Sequence, residues 1–227
     1  MVTKLKLTLK TPVFGLAFKG LIFGACLYFY YLNPSLLRGA FLVGIAFWLY
    51  GQSLFNFSSF LPILVVLLSL ALWIGWQANP PSFISLIILA FVFAIILGIR
   101  NLIITHRLAW YYFITCVLSY LLLLNFFLLD KSTLFVLKWL LILTLLTLLF
   151  WNPARPKVTL LIIILLMGEI IWLVNWLPIG PLSSANLAML PLLFLLEATY
   201  YHRLSWKNLG LFIVLAAAIF SSSYWQL

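Results

Sequence analysis

Acid is scarce in this chain: Asp130, Glu169 and Glu197 stand against thirteen lysines and arginines in 227 residues. Enzymes that act on phosphate-bearing lipids, prenyl groups or lipid-linked sugars generally hold a hard cation on grouped carboxylates, and three acids this far apart form no such group. A glycosidase-type pair would have to combine Glu169 with Glu197, which are expected at different membrane depths. Cysteine is scarcer still. Cys26 and Cys116 each lie in an apolar run, too few for a disulfide framework or a thiolate metal site. The only histidines, His106 and His202, fall in connectors expected on one face, whereas Ser183 and Ser184 fall on the other, which disfavours a Ser-His dyad. No partner pattern supports haem ligation by the two histidines, and no glycine-rich phosphate loop occurs. Neither a cofactor nor a metal is expected.

What remains is apolar. Hydrophobic residues make up 67% of the chain, charged residues 7%, and the mean hydropathy is +1.25. A soluble domain cannot cover so much hydrocarbon, so lipid must. The net charge of +10 is scattered singly between apolar runs, which reads as membrane topology and not as a nucleic-acid stripe. Phe23-Gly24-Ala25-Cys26 loosely matches a lipoprotein cleavage box, but Phe23 is the wrong type for its position. Bulky Leu27 and aromatic Tyr28 to Tyr31 also follow where small residues should mark a signal cut, so the first run is expected to remain as an anchor.

Helical spans of about 20 residues satisfy every backbone group inside lipid. The expected fold is all-α: a polytopic transmembrane helical bundle of about nine spans forming one integral membrane domain over residues 1–227. The spans run near Val13–Leu32, Leu37–Leu54, Phe60–Trp76, Phe83–Leu97, Leu108–Leu129, Thr133–Trp151, Val158–Trp176, Asn186–Tyr201 and Leu209–Tyr224. Turn-rich punctuation such as Asn33-Pro34-Ser35, Asn79-Pro80-Pro81-Ser82 and Pro178 to Ser184 separates them, and the short loops make consecutive helices antiparallel neighbours. Nine spans put Lys4, Lys6, Lys10, Arg100, Arg107, Arg155, Lys157, Arg203 and Lys207 on one side, and Arg38 and Lys131 on the other. That bias makes the N-terminus cytoplasmic and the C-terminus external. A re-entrant second span would break the bias. Tryptophans at the span ends, among them Trp76, Trp151 and Trp176, fit the headgroup level.

His106-Arg107-Leu108-Ala109-Trp110 is echoed by His202-Arg203-Leu204-Ser205-Trp206, each in a basic connector before a span. The echo fits a four-helix repeat, although the same residue types are favoured wherever a cytoplasmic loop meets an interfacial Trp.

Ionisable groups in hydrocarbon are costly, so they are the natural site candidates. Glu169 lies near the middle of the seventh span and Asn175 two turns outward. Lys138 of the sixth span and Asn125 of the fifth are expected close to the same depth. A Glu169–Lys138 encounter would serve a proton or cation relay, or lock two helices as an ion pair; the remaining reading is a protonated Glu169. A second candidate cluster, on the cytoplasmic face, comprises Glu197, His202, Arg203, His106 and Arg107.

The segment Leu193-Phe-Leu-Leu-Glu-Ala-Thr-Tyr-Tyr-His-Arg203, with Ala218 to Tyr224 after it, resembles the CAAX-protease and bacteriocin-processing membrane family over about thirty residues. That family carries a Glu-Glu-x-x-x-Arg helix and a later Phe-x-x-x-His helix. Glu197 matches the first Glu and Phe220 the Phe. Ala198, His202 and Tyr224 stand where the second Glu, the Arg and the His belong, so the resemblance implies a noncatalytic relative of an intramembrane peptidase.

Three expectations follow: a noncatalytic scaffold or subunit of a membrane assembly, a small transporter coupled through Glu169, and a peptidase relative centred on Glu197. The expected setting is the bilayer of a bacterial plasma membrane, with other membrane proteins as partners and no nucleic acid.

Overall fold

The computed structural model describes residues 12–51, 60–76, 83–100, 107–128, 135–150, 157–201 and 206–222. Among these residues the protein is all-α, with nine helices: α1 Pro12–Leu32, α2 Leu36–Gly51, α3 Leu61–Gly75, α4 Phe83–Arg100, α5 Arg107–Leu128, α6 Phe135–Phe150, α7 Lys157–Trp176, α8 Pro181–Tyr201 and α9 Trp206–Ser222. Three segments, Val13–Leu32, Ala109–Leu128 and Val158–Trp176, are long and apolar enough to cross a membrane. Four further helices, and the stretch Pro181–Leu195 of α8, are apolar but shorter. At 1.5 Å per residue the 16 residues of α2 reach only about 24 Å, less than the hydrocarbon thickness of about 30 Å.

Boundaries agree with the sequence to within a few residues except at α8. Pro178 to Ser184 reads as a loop, yet Pro181 opens the helix and Ser184 is buried. A proline at the first helical position gives up an N–H that has no helical partner there and arrives with its φ already set. Further along, Pro191 sits inside α8, where it leaves the Leu187 carbonyl without its usual donor.

The chain divides between Ile114 and Thr115, within α5, into two compact units. In the first unit the main partner of α1 is α4, not the consecutive α2, so order in sequence does not set this neighbour. Small residues explain the approach. A Cβ on Gly20 would stand 3.0 Å from Ala94 Cβ, and one on Gly24 would stand 3.3 Å from Ala90 Cβ. Two glycines four apart thus meet two alanines four apart, the small-residue seam by which helices pack in lipid. Between them Phe23 stacks on Phe93, ring centroids 4.1 Å apart.

Tyr30 locks the other end of α1. Its fully buried ring lies over Gly75 of α3, where a Cβ would overlap it, and within 3.5 Å of the place a Cβ on Gly39 of α2 would occupy. Its hydroxyl donates to the Leu72 carbonyl at 3.2 Å. Just beyond, Arg38 donates to the Phe29 and Asn33 carbonyls at 3.4 and 3.3 Å and stacks 4.4 Å from the Phe29 ring. A cation at the C-terminal end of α1 satisfies its last carbonyls and opposes its dipole. That local role gives Arg38 a structural reason to stand at the end of α1.

In the second unit, α6, α7, α8 and α9 each pack against the next in sequence.

Candidate functional site

The α6–α7 hairpin builds the neighbourhood of Glu169. Trp139 Nε1–H donates to the Gly168 carbonyl at 3.1 Å. Gly168 allows this approach, since a Cβ there would meet Trp139 Cζ2 at 3.1 Å and Leu143 Cδ1 at 3.2 Å. An aromatic chain continues from there: Trp139 packs edge-on against Trp172, Trp172 against Phe135, and Phe135 against Phe126 of α5, with centroids 5.9, 5.1 and 5.8 Å apart. Each such contact adds about 0.5–1.5 kcal/mol beyond area burial.

These contacts set an antiparallel register. Phe135 meets Trp172 and Trp139 meets Gly168, four residues up one helix for four down the other. Lys138 therefore shares the level of Glu169. Their azimuths differ, however. Successive helical residues are rotated by about 100°, so with Trp139 and Gly168 turned toward each other, Lys138 and Glu169 are turned away. Lys138 is half-buried and engaged in an interaction within the chain, whereas Glu169 is exposed. Among the described residues the anticipated ion pair between them is not formed.

The two faces of α7 are cleanly divided. Leu160, Ile163, Ile164, Met167, Ile171 and Val174 are buried. Val158, Leu161, Ile162, Leu165, Leu166, Trp172, Leu173 and Trp176 are exposed, Leu173 at 65% and Trp176 at 73%. On a helical wheel the exposed set spans about 140°, and Glu169 lies near its centre. Counting along the helix, the carboxylate is about 10 Å from the Trp176 end and about 18 Å from Lys157. An ionised side chain near mid-span costs about 3 kcal/mol on insertion scales, and such residues ordinarily face the bundle interior or a wet cavity. Here it faces out.

Asn175 is half-buried and, with Phe135, Trp172 and Trp176, lines an open notch of about 380 Å³ at the Trp176 end of the same hairpin. Asn125 is buried in α5. The structure thus brings Glu169, Lys138 and Asn175 to one hairpin, on different faces.

Of the second cluster, Glu197 belongs to α8 and Arg107 opens α5, while His106, His202 and Arg203 lie outside the described residues. Glu197 and Phe220, the two positions of the peptidase resemblance, lie on consecutive helices that pack together, α8 and α9. Among the described residues no three of His, Cys, Asp and Glu come together as metal ligands would.

The residues that pure sequence reasoning passed over are Gly168, Trp139 and the exposed stripe of α7. Their signal was present: aliphatic residues surround Glu169 on all sides of the helix, which leaves the carboxylate no polar face of its own.

The protein is a helical membrane protein by these apolar helices. No family model matches the chain, and no curated protein or solved structure does either.

Proposed function

We propose that the protein is a noncatalytic scaffold or subunit of a membrane assembly, built from nine helices that all cross a bacterial plasma membrane with the N-terminus inside. The four shorter apolar helices, 15 to 18 residues long, cross if the bilayer thins locally or flanking residues reach the interface. The distribution of basic residues favours this threading, and Arg38, held by the end of α1, is accounted for locally.

One observation carries the assembly reading. Glu169 sits at the centre of an outward apolar stripe, where lipid would leave a carboxylate unsolvated, so the stripe is better covered by protein than by acyl chains. Purification of wild type and Glu169→Leu from native membranes in mild detergent tests it. The expected result is that wild type retains another membrane protein and the variant loses it; a wild-type chain that isolates alone contradicts the reading.

The notch beside Trp172 favours a second reading, a small carrier coupled through Glu169, because it opens one turn from the carboxylate. In that case Glu169→Gln abolishes a proton-linked flux without unfolding the protein.

A further inference from the structure

We propose that the outward face of α7 docks against a transmembrane helix of another protein, one that presents a lysine or arginine to Glu169. This rests on the assembly reading above and names the chemistry of the partner.

The stripe has the spacing of a helix seam. Val158, Ile162, Leu165, Glu169, Trp172 and Trp176 follow one another at intervals of four, three, four, three and four residues, all on the exposed side. That alternation keeps one line of side chains turned toward a neighbouring helix at a shallow crossing angle. Such a seam is in itself no more than a lipid-facing surface. The carboxylate at its centre distinguishes it, because hydrocarbon offers that group neither counter-ion nor donor. The notch lined by Phe135, Trp172, Asn175 and Trp176 continues the seam outward and offers one amide and three aromatic walls to a large side chain of the same neighbour.

Charge selects the occupant. A second copy using this face would form a two-fold contact, presenting to each stripe the same stripe. The exposed side of α7 holds apolar residues, Thr159 and one acid, with no Lys, Arg or His between Val158 and Trp176. A homodimer across it would oppose Glu169 to Glu169 with no cation to offset them, so the two could meet only with a proton shared between them. A lipid amine is excluded by depth, since the carboxylate lies about 10 Å inside the Trp176 end. A basic side chain on a neighbouring helix reaches that level and supplies the missing charge.

The test uses the full chain in phosphatidylcholine vesicles, with Cys26 and Cys116 replaced by alanine and a donor dye on Thr159→Cys. The probes are three acceptor-labelled host helices of Leu and Ala carrying a single central Lys, Leu or Glu. Energy transfer is expected to show the Lys host binding wild type about tenfold more tightly than the Leu host. Glu169→Leu should remove that preference and Glu169→Lys should transfer it to the Glu host, with helix content unchanged by circular dichroism in both variants. Equal binding of the Lys and Leu hosts, a preference that survives Glu169→Leu, or Glu169-dependent transfer between two labelled copies would each overturn the proposal. Photo-cross-linking from Leu165 and Leu173 in native membranes separates this failure from that of the assembly reading. Adducts with another membrane protein, without charge preference in vesicles, leave the assembly and remove the cation. Adducts with lipid alone, or within the same chain, remove both.

Discussion

The indole nitrogen of Trp139 donates to the Gly168 carbonyl at 3.1 Å, and this bond fixes how α6 meets α7 and therefore where Glu169 faces. Gly168 is the hinge of the arrangement in a steric sense, because its missing side chain is the space that Trp139 and Leu143 occupy. Replacing it with leucine should force the two helices apart at an overpacking cost of about 1–3 kcal/mol. Trp139→Phe should cost only about 0.6 kcal/mol, the usual worth of one interhelical hydrogen bond in lipid. Unfolding by denaturing detergent, followed by helix content, ranks the two; a Trp139→Phe variant weaker than Gly168→Leu would reverse the explanation.

Gly75 plays the same part for Tyr30. Gly75→Ala places a methyl group in the Tyr30 ring, so the ring must leave its slot and surrender its bond to the Leu72 carbonyl. The expected loss is about 2 kcal/mol. Tyr30→Phe, which keeps the ring and removes the hydroxyl, should lose about 0.6 kcal/mol. Thermal unfolding of the detergent-solubilised protein would separate them.

The seam between α1 and α4 is open to a chemical check. Gly24→Cys together with Ala90→Cys, in a background lacking Cys26 and Cys116, should form a disulfide readily on mild oxidation, because the Cβ positions are 3.3 Å apart. Gly15→Cys with Ala90→Cys should not. Gly15 lies nine residues, or about 13 Å, from Gly24 along α1. A shift in gel mobility reads the outcome.

Arg38→Gln should loosen the end of α1. Loss of a cation at the α1 C-terminus and of its stacking on Phe29 is expected to cost about 0.5–1 kcal/mol, less in high salt because the bonds Arg38 makes are exposed. Unfolding at low and high ionic strength measures both the cost and its screening.

Much of this fold is legible in the sequence because hydrocarbon imposes it: the runs from Val13 to Leu32 and from Val158 to Trp176 are long and apolar, and helix is the conformation open to them. Local punctuation was less reliable. Pro181 carries the same turn propensity whether it ends a loop or opens a helix, and only the following packed residues decide. Helix neighbours were not legible at all where they are not consecutive. Gly20 and Gly24, and Ala90 and Ala94, are visible as small residues four apart, but nothing local says that one pair meets the other. The site followed the same division. Position along the helix gave Glu169 and Lys138 nearly the right common level, whereas the rotation of each helix depends on Trp139 finding Gly168, a contact between segments 29 residues apart.

Environment at Leu173 provides the most direct test of what covers α7. A photoreactive residue placed there, one turn beyond Glu169 toward Trp176 on the same face, should yield an adduct with a distinct membrane protein in intact cells. An equivalent probe at Phe91, exposed on α4, should yield chiefly lipid. If Leu173 reacts with lipid to the same extent as Phe91, the outward face of α7 is bare and the account of Glu169 as an assembly contact is wrong.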